Sequence, residues 1–212
     1  MKEKPILFST PMVQAILDGR KTQTRRIVKN IPSVCYSVSV SEDGTYLRGV
    51  SDNGSALWII ECPSKIGDIL WVRETWWHNR ETWGDSEVFL YKADFPIDGY
   101  DHVDAYKWKP SIFMPKDACR LKLRVTDISV ERLQCIDESE ALAEGITSFT
   151  KDGVGFKFGL DGWNWSYRDK SPFMCSNAVL AYSELWESIN GSGAWDKNPW
   201  VWVITFERIN NH

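Results

Sequence analysis

The residues of this chain best suited to chemistry lie between positions 20 and 29. Arg20, Lys21, Arg25, Arg26 and Lys29 place five cations there with no acid among them. The whole chain carries 25 Lys and Arg against 29 Asp and Glu, a formal charge of -4, so the remainder holds 20 cations against 29 acids, or -9. One cationic spot on an anionic body focuses an anion such as a phosphate without coating the molecule in positive potential. A solvated basic turn is the plainer reading of the same run. Tryptophan is the second unusual feature, with 12 in 212 residues. Trp200 and Trp202, in a terminal apolar run, and Trp186, on the apolar face of a helical pattern, read as core. Trp76, Trp77, Trp83, Trp108, Trp163 and Trp165 lie instead among Gly, Asn, Asp, Arg and Lys, where an indole can stack on a base or line a ligand slot.

Several chemistries are absent. The five cysteines, Cys35, Cys62, Cys119, Cys135 and Cys175, are widely spaced with no C-x-x-C, which signals neither a disulfide framework nor a zinc site. Three histidines, one of them His212, leave His78 and His102 as the only interior imidazoles, so no metal is expected. There is no phosphate-cradling glycine motif, no G-x-S-x-G elbow and no H-E-x-x-H, and no cofactor is expected. No apolar stretch approaches the ~18 residues of a membrane span. The short Ile6-Leu7-Phe8 run lacks the apolar core of a signal peptide, so the expectation is a cytoplasmic protein away from membranes.

The elements that must position these residues follow from periodicity. Thr10-Pro11 with Met12, Val13, Ile16 and Leu17 predicts a short helix with Thr10 as N-cap and Gly19 as its stop, and the cationic segment begins where that helix ends. Strands are predicted at Val34–Val40, Leu57–Glu61, Ile69–Arg73, Val88–Lys92 and Trp200–Ile209, with a hairpin turn at Glu42-Asp43-Gly44 and a tight turn at Gly67-Asp68. The clearest alternation sets Leu121, Leu123 and Val125 inward against Arg120, Lys122, Arg124 and Thr126. Asp137 with Glu140 forms a capping-box signature that opens a helix ending at Gly145, and Asn177 to Asn190 carries a second apolar helical face closed by Gly191. The 24.4 kDa chain therefore predicts one α+β domain over residues 1–212: a small mixed β-barrel or α+β core with three short helices. The stretches 30–56, 77–118 and 147–175 read as elaborations on it.

The segment Gly19-Arg20-Lys21-Thr22-Gln23-Thr24-Arg25-Arg26 resembles the G-x-K-x-x-T-x-R signature of the ASCH family, whose β-barrel is similar to the PUA domains of RNA-modifying proteins. Gly67-Asp68-Ile69-Leu70 resembles the family's G-D-x-L strand, and Val203-Ile204-Thr205-Phe206 its terminal strand. Leu70 to Trp76, Leu185 to Gly191 and Asn198 to Val203 are similar to segments of longer phage and prophage members. The resemblance implies a PUA-like barrel that binds RNA or a modified nucleoside in the cleft beside the first helix. In compact bacterial members it implies hydrolysis of N4-acetylcytidine. Carried over by position, it makes Thr24 the candidate nucleophile, Lys21 its activator and Glu144 the acid, with Glu74 a rival for that last place. Arg20, Arg25, Arg26, Arg73, Glu74 and Trp76 are the candidate contacts to nucleic acid or substrate.

Physical chemistry sets conditions on these roles. A threonine hydroxyl attacks only if a base takes its proton, and a lysine can do so only if its pKa falls from ~10.4 toward neutrality. Neighbouring arginines and burial push Lys21 that way, while an ionised Glu144 close by pushes back. In a strict strand Lys21 and Thr24 would point to opposite faces, so a shared role requires a turn or bulge between them. The bland reading of the pair is a cap and turn. Three functions stay open: binding of RNA or a modified nucleoside, deacylation of an N4-acetylcytidine-type nucleoside, and a phage-related structural or assembly role.

Overall fold

The computed structural model describes residues 1–32, 37–41, 46–51, 53–79, 88–95, 106–150, 156–160 and 177–209. Strand β1 (Glu3–Leu7) leads into helix α1 (Thr10–Leu17), which buries Met12, Val13, Ala15 and Ile16 on one face. Its N-cap is Ser9 rather than the expected Thr10, with Pro11 in the first turn, where its missing N–H leaves no bond unmade. Gly19 at φ 76 turns the chain out of the helix, a conformation open to glycine, and β2 (Gln23–Ile27) follows.

Next comes a three-stranded antiparallel sheet of β3 (Ser37–Val40), β4 (Tyr46–Val50) and β5 (Ala56–Glu61). The expected hairpin turn at 42–44 lies outside the described residues. Strand β6 (Ile69–Arg73) precedes a hairpin of β7 (Trp76–Asn79) and β8 (Val88–Tyr91). Strand β9 (Lys122–Arg132) is the longest, and α2 (Glu138–Ala143) follows it with both halves of the predicted capping box formed. A hairpin of β10 (Ile146–Thr150) and β11 (Phe156–Leu160) then leads toward α3 (Ala178–Asn190), capped by the Asn177 side chain on Leu180 N–H at 2.9 Å. Strand β12 (Trp200–Ile209) ends the described chain.

The principal sheet has the order β1-β6-β9-β12-β2, parallel between β1 and β6 and antiparallel elsewhere. The inward alternation of β9 holds for Leu123 and Val125 and then changes phase to Ile128. The cause is a bulge: Thr205 pairs with Asp127 but Phe206 with Val125, so one residue of β9 is passed over and its two halves present opposite parities to the core. Strands β1 and β2 are the two ends of this order, yet the Arg26 guanidinium of β2 donates to Leu7 O of β1 at 2.9 Å. The sheet is therefore curled until its edges lie within one side chain of each other. Among the described residues no strand ladder joins them. The core fills the concave side, with Val13, Ala15, Val72, Leu123 and Val201 wholly buried. The architecture is mixed α and β, with three α-helices among the described residues, none of them long and apolar enough to cross a membrane.

Candidate functional site

The exit from α1 decides where Lys21 goes. Arg20 N–H and Lys21 N–H both donate to Ala15 O, at 2.8 and 2.9 Å, which wraps the chain over the helix end. Thr22 is then stitched on both sides, its N–H to Ala143 O at 2.9 Å and its carbonyl to Phe206 N–H at 2.8 Å. The strand begins only at Gln23, so Lys21 stands before the β alternation and the condition for a shared site with Thr24 is met by this turn. Lys21 is 2% exposed, and its Nζ donates to Glu144 Oε2 at 2.6 Å, Glu144 O at 2.8 Å and Gln23 O at 2.8 Å. The Phe8 ring lies 5.6 Å from the same nitrogen.

Glu144 is the C-cap of α2, held by its N–H on Glu140 O at 2.9 Å and followed by Gly145 at φ 99. Its Oε2 faces Lys21, while Oε1 has only long contacts, 3.5 Å from Arg25 Nη1 and 3.5 Å from the Tyr182 hydroxyl. Arg25, whose side chain is fully buried, is gripped elsewhere: Nη2 lies 2.7 Å from Glu131 Oε1 and 3.0 Å from Glu140 Oε2, and Nη1 is 2.8 Å from Gln23 Oε1. Burial pushes the Lys21 amine below its ordinary value, Glu144 opposes this, and Arg26 and Arg25 add to the downward push. Burial also lowers Arg26, while Arg25, with burial outweighed by Glu144 and Glu131, is raised. The Tyr182 phenol is held well above its usual range by burial and by the Glu144 charge.

Beside this cluster opens a cleft with two unlike walls. Thr24, Arg25, Arg26 and Glu144 line the polar side, and Tyr182, Leu185 and Trp186 of α3 with Met12 of α1 line the apolar side. It encloses about 60 Å³ and spans about 410 Å³ with its open mouth counted. A planar ring with polar edges suits such walls, one edge inside and the remainder of the ligand at the mouth.

The structure thus brings Lys21, Thr24, Arg25, Arg26 and Glu144 together. Arg20 sits at the rim of the cluster, on Asp18 at 2.8 Å and Gly145 O at 3.3 Å. Arg73, Glu74 and Trp76 belong to a different cluster and do not line the cleft. Arg73 donates to Met114 O at 3.0 Å and to Ile112 O. Glu74, 1% exposed, takes a two-pronged bond from Arg120 at 2.9 and 3.0 Å, its pKa raised by burial against the pull of that arginine. Trp76, 6% exposed, packs on Met114 and Ala118. Of the two rival acids, the one on Lys21 is Glu144. Among the other tryptophans expected at a ligand slot, Trp77 and Trp108 are half-buried beside Tyr106, and Trp83, Trp163 and Trp165 lie outside the described residues.

Sequence reading missed Tyr182, Trp186, Glu131 and Glu140 as parts of this site. Tyr182 and Trp186 are four apart on α3, a spacing that marks one helix face but not whether that face meets core or cleft. Glu140 carried the capping signal, and that signal concealed its second partner, Arg25. Among the described residues no group of three or more His, Cys, Asp or Glu is placed to hold a metal ion.

No family model, curated protein or solved structure matches the chain. What the arrangement can do chemically therefore rests on its own geometry: hydrogen bonding and charge in a cleft lined by the hydroxyl-bearing Thr24 and Tyr182, one carboxylate and an aromatic wall.

Proposed function

We propose that the chain is an ASCH-type, PUA-like module whose cleft binds a modified nucleoside of the N4-acetylcytidine kind. The observation that carries this reading is the convergence of Thr24, Arg26 and the Glu144 carboxylate on one cleft whose opposite wall is Tyr182, Leu185 and Trp186. The polar wall addresses the edge of a base and the aromatic wall its face. The curled five-stranded sheet supports the PUA-like assignment, its two edges bridged by Arg26 on Leu7. A broad RNA surface is less well supported, because the cationic run is largely neutralised from within. Lys21 is paired with Glu144, Arg25 with Glu131 and Glu140, and Arg20 with Asp18.

Hydrolysis is the second reading, favoured by Thr24 and Glu144 sharing the cleft while Glu144 holds Lys21. For Thr24 to attack an acyl carbon, Lys21 must accept its proton as a neutral amine. Burial favours that form, but the three oxygens around Nζ match the three N–H bonds of an ammonium, and a neutral amine would set its lone pair against one of them. The three acceptors support the ammonium, and on that support this reading ranks binding above turnover.

Isothermal titration of the protein with N4-acetylcytidine, with chromatography of the same mixture for released cytidine, separates the readings. Saturable binding without product, weakened by Thr24→Ala and Glu144→Gln, is expected. Product formation would move the protein to the hydrolase class. Neither binding nor product from a folded sample refutes both.

A further inference from the structure

Two cations line the cleft, and they are matched unequally. Arg25 is held by carboxylates, but among the described residues Arg26 has no carboxylate within ion-pair distance. Its one hydrogen bond among them runs from Nη2 to Leu7 O at 2.9 Å, with the guanidinium over the Phe8 ring at 5.4 Å. A guanidinium presents five N–H bonds in a planar fork, shaped for two oxygens of a carboxylate or phosphate. On the facing wall Trp186 is 4% exposed and its Nε1–H is buried without an acceptor. The Trp58 and Trp76 indoles, away from the cleft, are unpaired in the same way, so Trp186 counts here as a wall of the cleft and not as a donor into it. Glu144 Oε1, with its two contacts at 3.5 Å, is one acceptor of the cleft lining, beside the Thr24 hydroxyl.

We infer that the cleft selects a ligand carrying an anionic oxygen group, so that a nucleoside monophosphate is preferred over the free nucleoside, with Arg26 as the anion's contact. A neutral ligand would leave Arg26 half-buried with no carboxylate within ion-pair distance among the described residues. An anion supplies that partner, and the small enclosed volume places the bulkier part of a nucleotide at the mouth. Arg25 is not the anion's contact, because three carboxylates already surround it. Burial, which pushes Arg26 down against the pull of Glu144, acts in the same sense: a second negative charge would restore it.

This inference rests on the nucleoside reading, and one experiment separates the two. Titrations compare N4-acetylcytidine with its 5′-monophosphate on wild type, Arg26→Gln, Arg26→Lys and Trp186→Phe, each checked for folding by circular dichroism. Inorganic phosphate serves as competitor. The expected result is at least about tenfold tighter binding of the monophosphate, shrinking with salt. Arg26→Gln brings it down to the level of the nucleoside, Arg26→Lys keeps a reduced preference, and Trp186→Phe weakens both ligands. Equal affinities for the two ligands on wild type would overturn the inference and leave the nucleoside reading standing. A preference that survives Arg26→Gln would overturn the assignment of Arg26. If phosphate alone binds while neither cytidine compound does better, the nucleoside reading falls and the anion site remains; if nothing binds a folded protein, both fall.

Discussion

Lys21→Met tests the protonation state on which the choice between binding and hydrolysis turns. Methionine keeps the length of the stem and removes the charge. The side chains of Lys21 and Glu144 are 0% and 3% exposed, so water cannot replace what is lost. Three contacts vanish together, at 2.6, 2.8 and 2.8 Å, leaving a buried carboxylate and two carbonyl oxygens without their donor. Arg25 Nη1, 3.5 Å from the other oxygen, is too far to take over and is committed to Gln23. Removing one partner of a buried ion pair costs about 3–5 kcal/mol, and the stranded carbonyls place this case near 4 kcal/mol. With a urea slope of about 2–3 kcal/mol/M, the unfolding midpoint falls by about 1.3–2 M. The second variant, Lys21→Met with Glu144→Leu, removes the stranded charge and recovers part of the loss, giving a coupling of about 2 kcal/mol in the double-mutant cycle. A change under about 0.5 kcal/mol for Lys21→Met would refute the reasoning. It would mean that the amine is neutral in the fold, and the hydrolytic reading would recover its base.

Three further outcomes are expected. In the binding assay Glu144→Gln weakens N4-acetylcytidine by about tenfold or more, whereas Glu74→Gln, which faces Arg120 on a different cluster, does not shift the titration; the reverse pattern would show that the wrong acid was assigned. At Asp68 burial raises the pKa, but the Lys4 ammonium and the N–H groups of Lys2 and Lys65 outweigh it and hold the carboxyl below its ordinary value. Its contribution is complete above the ordinary aspartate value and is lost as pH falls through the lowered folded one. Asp68→Asn therefore costs about 1–3 kcal/mol at neutral pH and converges on wild type in acid, as read by urea melts across pH. Gly49→Ala drives a Cβ into the Trp58 ring across the β4–β5 pair, so a lower melting temperature, equivalent to about 1–3 kcal/mol, is expected; an unshifted melt would show that Trp58 is free to swing away.

How far the sequence could be read differs from element to element for physical reasons. The capping box at Asp137, the Asn177 cap and the terminal strand were legible because their signals are local, written within a few residues of where they act. Strand β1 was missed because its length is Glu3–Leu7, with Pro5 inside and Ile6 alone buried, and nothing in so short a run announces the parallel pairing with β6. The inward phase expected for Leu121, Leu123 and Val125 holds, with Thr126 exposed, while the change of phase to Ile128 follows a bulge seen only in the pairing with the partner strand.

The site shows the same division between what is written along the chain and what is written across it. Five cations in ten residues read as a patch of positive potential, because sequence arithmetic sums charge over neighbours. The acids that meet them are far away in the chain: Glu131 lies 106 residues from Arg25, and Glu144 lies 123 from Lys21. Folding sets Lys21 and Arg25 in a buried, matched network and pairs Arg20 with Asp18 near the surface, so the two buried charges cannot be offered to a polyanion without breaking ion pairs that are costly to break. Among the described residues, what lines the cleft without a carboxylate partner is a single guanidinium, Arg26, beside the Thr24 hydroxyl and a Glu144 carboxylate oxygen. A surface that binds by accumulated charge needs many such cations at once, whereas a pocket that selects one small ligand needs one, fixed in place. That difference in number, not the presence of a basic run, is what favours the proposed reading of a small-ligand cleft over a polyanion surface.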